Sequence, residues 1–504
     1  MIDKSEAKPF IYKFETDQNK YVYDINTMQI VRLEQVAWNI ISDFGSLSKD
    51  EIVCKYAGQY SSEEILSAYN EIANTSRLKG LFSARRPEIL FPFTEENLRQ
   101  KLAKDRKMLL LNVTEDCNFR CLYCVYSGKY VNRHAYSKRQ MSWDVAKKAI
   151  DDFLSCSDPE DRSIGFYGGE PLLNIDLIRK CVAYVRQVEG GSKVTFSLTT
   201  NGSLLTGEKA DFLACENFNI GLSLDGPCEI HDRYRQTKEG LPTWERIISN
   251  LKAFLDKYAK YREEGGLILN IVMAPPLNVL ELDNFCKSVD IIGRGILIIA
   301  LGLNEIPDRN AFIGSVEGRD TLYEKFLNNM VTGEVNHDTF NPAYRLQRSL
   351  FEQQWVLFHK RFELYSSGLS CLPDKFCILS TCIPGVRRTF VSVDGDYLVC
   401  ERVPENDYYK IGSVDDGFDV AKIWRLLNEW VELTREECKY CWCLRTCKVG
   451  CWSNICDGEK PTAILKSQAC EAHRRGMHGF LIDYCSVLER NPRALDYMKD
   501  ITVS

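Results

Sequence analysis

The sequence has no apolar run long enough to cross a bilayer; its hydrophobic stretches are short and broken by charge. It opens on Met1-Ile2-Asp3-Lys4-Ser5-Glu6, charged and without the apolar segment of a secretory signal. It has no surplus of positive charge either. Its 64 Lys and Arg stand against 70 Asp and Glu, a net charge of −6, which argues against a protein held to nucleic acid by phosphate contacts. Internal repeats and low-complexity tracts are missing. The expectation is a cytoplasmic protein with no membrane and no nucleic acid among its partners.

What the sequence does have is cysteine, 21 in 504 residues. In a reducing compartment that points to metal or redox chemistry sooner than to disulfides. More than half of these cysteines lie between Cys371 and Cys485. The chain is too long for one ordinary domain. It divides into a small unit at 1–90, a main unit at 100–310, a helical bridge at 311–370, a cysteine-rich unit at 371–485 and a tail at 486–504.

In the first unit, "FIYKFETDQNKYVYDINTMQIVRL" alternates well enough for two or three short strands. Helical patterns follow around "LEQVAWNIISDF", "SKDEIVCKYA" and "SSEEILSAYNEIAN". Short strands plus three helices predict a winged-helix-like domain. Residues 1–80 carry nine Lys/Arg against twelve Asp/Glu, a poor match to DNA. Binding of a peptide along a strand edge suits this unit better.

From about residue 105, apolar strands alternate with helical stretches. The strands are "LLLNV" (109–113), "SIGFYG" (163–168), "VTFSLTTNG" (194–202), "NIGLSLDG" (219–226), "LILNIVM" (267–273) and "ILIIALG" (296–302). Such alternation predicts parallel β/α units. The fold class is α/β, a partial (β/α)6 TIM-like barrel, with chemistry where strands end and loops begin. The loop after the first strand holds Cys117-x3-Cys121-x2-Cys124. A structural zinc site closes with four ligands, and here the fourth has to be distant, with His134 one candidate. Three thiolates suit a four-iron cluster with one iron left open to a substrate or cofactor.

That spacing, with Tyr123 at the aromatic place, resembles the radical S-adenosylmethionine (SAM) enzymes. Further segments agree in order: "YGGEP" (Tyr167–Pro171), "TTNGS" (Thr199–Ser203), "SLDGP" (Ser223–Pro227) and "IHDRYRQTKEG" (Ile230–Gly240). The resemblance implies that Cys117, Cys121 and Cys124 hold a [4Fe-4S] cluster that binds SAM and cleaves it reductively. It implies SAM contacts from Tyr123, Gly168, Gly169, Glu170, Asn201, Ser223, Asp225 and Arg235. Gly168 and Gly169 let backbone approach a ligand closely, and Glu170 offers a carboxylate to a cationic amino group. Tyr123 either stacks near adenine or fills a core; Arg235 either pairs with the methionine carboxylate or lies on a solvated face.

The later cysteines are similar to the seven-cysteine pattern of the SPASM domain: Cys382-x12-Gly395-x4-Cys400, then Cys438-x2-Cys441-x5-Cys447-x3-Cys451, then Cys470. That resemblance implies two auxiliary [4Fe-4S] clusters, three clusters in all. Cys438, Cys441, Cys447 and Cys470 would ligate the second, and Cys382, Cys400 and Cys451 the first. Cys377 would complete the first set, with Cys371 or an open iron as alternatives. Cys443 and Cys456 have no role in the pattern. Cys54, Cys156, Cys181, Cys215, Cys228, Cys286 and Cys485 read as small buried apolar residues. "VSVDGDYLVC" reads as a hairpin turning at Asp394-Gly395.

The first unit in turn resembles the peptide-recognition element of ribosomal-peptide maturases. Together these resemblances imply an oxidoreductase acting on a precursor peptide with a leader, served by an external electron donor such as flavodoxin or ferredoxin. The leading expectation is a thioether from a cysteine sulfur to Cα or Cβ, as in sactipeptides. The alternatives are carbon–carbon crosslinking, formylglycine formation by an anaerobic sulfatase-maturating enzyme, and, outside enzymes, a zinc-binding regulator.

Overall fold

The computed structural model describes residues 7–128, 135–155, 162–188, 190–293, 295–302, 314–335, 341–366, 371–378 and 382–501. His134 and Cys156, and the segment 303–313 leading into the bridge, lie outside these residues.

The N-terminal segment forms an antiparallel sheet of β1 (Ile11–Glu15), β2 (Lys20–Asp24) and β3 (Ile30–Leu33), in that order. Three helices pack on it: Gln35–Ile40, Lys49–Tyr56 and Ser62–Lys79. The last two start in capping boxes, Ser48 with Glu51 and Ser61 with Glu64. Val22, Ile40, Ile52, Ile65 and Ile72 build a small core of their own. This unit contributes a three-stranded sheet with helices, and among the described residues β3 has no strand partner on its outer edge.

A two-residue strand, β4 (Glu88–Ile89), leads into the main sheet. Its parallel strands are β5 (Met108–Thr114), β6 (Ser163–Gly168), β7 (Thr195–Thr200), β8 (Asn219–Ser223) and β9 (Leu267–Met273). After the short β10 (Leu277–Asn278), β11 (Leu297–Gly302) pairs with β9. The six strands run side by side in chain order, as a partial barrel requires. The sequence-derived strands coincide with the observed ones; "VTFSLTTNG" and "NIGLSLDG" run on into the loops that follow β7 and β8. Buried parallel strands read as apolar runs because both faces are covered.

Helices such as Trp143–Leu154 cover the outer face, burying Ala146, Ala149, Ile150 and Phe153 at helical spacing. Beneath them Phe166, Phe196 and Phe218 stack, with centroids 5.5–6.3 Å apart. Each such pair contributes about 0.5–1.5 kcal/mol beyond its buried area.

The C-terminal region joins the same sheet. Past β12 (Val316–Glu317) and β13 (Lys375–Phe376), β14 (Arg388–Val391) pairs parallel with β5. Then β15 (Asp396–Leu398), β16 (Lys410–Ser413) and β17 (Gly417–Phe418) follow antiparallel, making ten strands. The expected hairpin is present, turning at Gly395 with φ +94°, a conformation that favours glycine. The bridge is helical at Arg319–Thr332 and Gln353–Ser366, and a 28-residue helix, Ala463–Arg490, carries Cys470.

Residues far apart in sequence fasten these parts together. Tyr12 of β1 stacks on Trp442, 3.6 Å between centroids and 6° between planes. Thr16, Asn19 and Tyr21 all donate to Glu489 Oε1, and Arg445 donates to the Asn26 carbonyl at 2.7 Å. Arg139 clasps the barrel to the hairpin by pairing with Glu115, Asp394 and Glu405. Glu115 is 2% exposed, so Arg139→Ala leaves a buried carboxylate without its cation. The expected loss is about 2–3 kcal/mol, reduced from the fully buried case because Arg139 is half exposed. Denaturant unfolding of the variant measures it. No helix among the described residues is long and apolar enough to cross a membrane.

Candidate active site

The cysteine loop leaves the C-terminal end of β5, where a β/α barrel places its chemistry. Cys117 and Cys121 are buried and Cys124 half-buried. Burial pushes all three thiols up, Cys121 to about 12, and the neighbouring sulfurs raise Cys117 and Cys121 further. Such thiols give up their protons to a cation that replaces them. The sulfurs also accept backbone donors: Phe119 N–H to Cys117 Sγ and Tyr126 N–H to Cys124 Sγ, both at 3.4 Å. The same i+2 pattern recurs at Cys400, from Arg402, and at Cys447, from Val449. Amide donors aimed at sulfur are what stabilise and tune thiolate-bound iron. Among the described residues no three His, Cys, Asp or Glu converge as tightly as the ligands of a single ion; a cubane spreads its thiolates over separate corners.

The residues expected to meet SAM are brought to this loop, but several are engaged with protein. Gly169 N–H donates to Thr114 O and Glu170 N–H to Asp116 O, both at 2.9 Å. A Cβ at Gly168 would lie 2.1 Å from Thr114 O, and one at Gly169 2.3 Å from Asp116 O. At their Cβ positions these glycines permit a close approach of the chain entering the cysteine loop. The Glu170 carboxylate is fully buried and accepts from Thr200 Oγ1 at 2.7 Å, Asn201 N–H at 2.7 Å and Leu172 N–H at 3.1 Å. It ties the loops after β6 and β7 together. Asn201 donates to Asn118 Oδ1 at 2.9 Å and lies 3.9 Å from Cys117 Sγ.

Arg235 does not lie on a solvated face. It is buried, with Nε 2.9 Å from Asp225 Oδ2 and Nη1 3.9 Å from Cys121 Sγ. The same Asp225 oxygen accepts the Tyr123 hydroxyl, and Oδ1 accepts Val272 N–H at 2.9 Å. Tyr123 packs in the core, with the guanidinium of Arg235 5.5 Å from its ring. Behind this group His231 accepts from Asp225 N–H and bonds Thr243; burial lowers its pKa to about 4, so it stays neutral. Ser223 is half-buried, on the face of β8 that also carries Asn219 and Gly221.

That face lines a barrel cavity of about 230 Å³ with Leu110, Tyr167, Ser197, Asn270 and Glu401. Glu401 is the residue that sequence reasoning missed. It follows Cys400, at the end of the hairpin, and pairs with Arg388 of β14. Its Oε2 is buried with no hydrogen-bond partner, as are both polar atoms of the Asn112 side chain on β5. Buried orphans of this kind are costly, and a polar ligand in the barrel would satisfy them. Tyr167 lies between the two ends of the site: burial, then Glu401 and Cys124, push its phenol up. The signal in the sequence was an acidic residue beside a cysteine of the C-terminal array.

In the C-terminal array, Cys400, Cys438, Cys441, Cys447, Cys451 and Cys470 are half-buried, as is Cys377, while Cys371 and Cys382 are exposed. Burial pushes Cys438 up, Cys400 and Cys447 to about 12 and Cys470 to about 11. Cys441 moves the other way, to about 6, through hydrogen bonds from Cys443 and, after that, Arg474. Of the cysteines read as apolar filling, Cys181, Cys286 and Cys485 are buried and Cys228 half-buried; Cys54 and Cys215 are exposed, which corrects that expectation for the latter two.

Residues 111–289 match the model of the Radical SAM superfamily. The chain thus carries a radical SAM domain and is a radical SAM enzyme, an oxidoreductase-type catalyst. It is 25% identical over 377 residues to a cysteine-type anaerobic sulfatase-maturating enzyme of Clostridium perfringens, spanning 73% of this chain and 94% of that one. It is 27% identical over 202 residues to the radical SAM cyclopropyl synthase TigE of Paramaledivibacter caminithermalis, spanning 37% and 41%. In fold it is similar to a polyhistidine-tagged anSMEcpe solved with bound AdoMet, at TM-score 0.54 and 22% identity, over 79% of this chain and 96% of that one. The cysteine loop and its amide-to-sulfur bonds fit a SAM-binding [4Fe-4S] cluster.

Proposed function

We propose that the enzyme oxidises a cysteine-bearing, leader-bearing peptide and closes a thioether from the cysteine sulfur to a Cα or Cβ. When bound, SAM and its cluster would supply the hydrogen-abstracting 5′-deoxyadenosyl radical, and auxiliary clusters a one-electron acceptor. Cys117, Cys121 and Cys124 would hold the first cluster. Cys377, Cys382, Cys400 and Cys451 would hold one auxiliary cluster, and Cys438, Cys441, Cys447 and Cys470 the other. An external flavodoxin- or ferredoxin-type donor completes the electron supply.

The protein's own part is positioning and proton removal. Closing one thioether takes two hydrogens from the peptide. One leaves as an atom from carbon; the other leaves as the thiol proton and an electron. Glu401 would take that proton: its side chain lines the barrel cavity and its Oε2 has no hydrogen-bond partner. The leader would add as a strand to the outer edge of β3.

The observation that carries this reading is the docking of the N-terminal sheet onto the cysteine array, through Tyr12 on Trp442 and Arg445 on Asn26. A peptide held on β3 is thereby tethered beside the chemistry. A leaderless peptide is expected to show a KM raised roughly tenfold or more at similar kcat, as expected when a tether is lost. Equal KM with and without leader contradicts the recognition role.

The sulfatase-maturating relatives favour a second reading, oxidation of a cysteine to formylglycine, which needs the same hydrogen and proton removals. Anaerobic turnover separates them. A product lighter by two hydrogens, retaining its sulfur and resisting thiol alkylation, supports the thioether. A product that has lost sulfur and reacts with a hydrazide supports formylglycine.

A further inference from the structure

Lys466 is 1% exposed. Its Nζ donates to the Trp430 carbonyl at 2.6 Å and lies 3.4 Å from the centre of the Trp430 ring. It has no carboxylate partner among the described residues. Glu437 is the one carboxylate acting on it, and only after three cysteines. It also sits in the first turn of helix Ala463–Arg490, where the helix dipole opposes a cation. Burying an ammonium there costs several kcal/mol unless an anion offsets it. The anions that face it are the sulfurs of Cys438, Cys470 and Cys447, with Cys470 one turn further along the same helix face. A second cation acts on the same set, since Arg474 favours the thiolate of Cys441.

The SAM-binding site is built differently. Its buried cation, Arg235, also approaches a cluster cysteine, but Asp225 neutralises it at 2.9 Å. Beside the first auxiliary set, Glu401 and Arg402 act on Cys400 with opposite sign. The set of Cys438, Cys441, Cys447 and Cys470 thus faces a fully buried lysine that, among the described residues, no carboxylate pairs.

Resting on the three-cluster reading above, we infer that Lys466, with Arg474, raises the reduction potential of the second auxiliary cluster. Positive charge in a low-dielectric surrounding stabilises the reduced, more negative cluster. Lys466 is a positioning residue for charge and touches no substrate.

The test is a potentiometric titration of the iron–sulfur EPR signals of the full-length, iron-replete protein and of Lys466→Met, Lys466→Arg and Arg474→Gln. Iron analysis comes first: a wild-type protein lacking iron at the C-terminal cysteines overturns the three-cluster reading itself, independently of Lys466. With iron in place, Lys466→Met is expected to move one auxiliary signal to lower potential and leave the SAM-binding signal where it was. Arg474→Gln is expected to move the same signal in the same direction, and Lys466→Arg to keep the wild-type value. Loss of four irons in Lys466→Met but not in Lys466→Arg also supports charge pairing. An unshifted signal in iron-replete Lys466→Met, or equal iron loss in the Met and Arg variants, overturns the inference.

Discussion

Cys117→Ala is expected to reduce 5′-deoxyadenosine formation at least a hundredfold, to background. Loss of an outer partner alone costs roughly 10–100-fold in metal affinity, and Cys117 is an inner one in this account. Its place in the fold makes the effect specific. Cys117 is the cysteine reached by Asn201, and its loop is stitched through Gly169 and Glu170 to the end of β6. The alanine removes a sulfur and leaves those backbone bonds intact, so the variant should fold with wild-type circular dichroism. Anaerobic incubation with SAM and dithionite, read by chromatography of deoxyadenosine, measures the loss. Substantial SAM cleavage by Cys117→Ala contradicts the assignment.

Glu401→Gln is the complementary case. Glutamine keeps an oxygen for Arg388 and the shape of the side chain but cannot take a proton. A positioned general base contributes typically about 10²–10⁴-fold, so peptide product should fall by that factor. SAM cleavage should continue, because Cys117, Cys121 and Cys124 are untouched. The signature is uncoupling: deoxyadenosine without a matching amount of modified peptide. Product formed by Glu401→Gln at the wild-type rate assigns the proton to another group.

These two residues also mark what was legible in the sequence. The barrel strands could be read because buried parallel strands are apolar on both faces and are separated by amphipathic helices. The cysteine loop could be placed because it follows the first such strand. The pairing of β14 with β5 could not be read, since nothing local in "RTFV" selects a partner some 280 residues upstream in sequence. With that pairing hidden, Glu401 looked like one more acidic residue beside a cysteine, and its aim into the barrel was invisible.

Arg235 shows a limit of another kind. Its motif was visible, and a role in holding ligand was one of two readings. That its guanidinium meets a buried aspartate rests on a contact across ten residues, which spacing does not encode. Gly168 and Gly169 were likewise recognised as places of close approach. The partner at each turned out to be the chain before Cys117, which the sequence could not single out.

The central claim is that the Cys117 loop carries one iron–sulfur cluster and the C-terminal cysteines carry two more. The most direct measurement is the iron, zinc and sulfide content of the anaerobically purified full-length protein beside its Cys117→Ala/Cys121→Ala/Cys124→Ala variant. Three four-iron clusters predict about twelve irons in the first and about eight in the second, with matching sulfide. Zinc in place of iron, or the same iron content in both proteins, contradicts it.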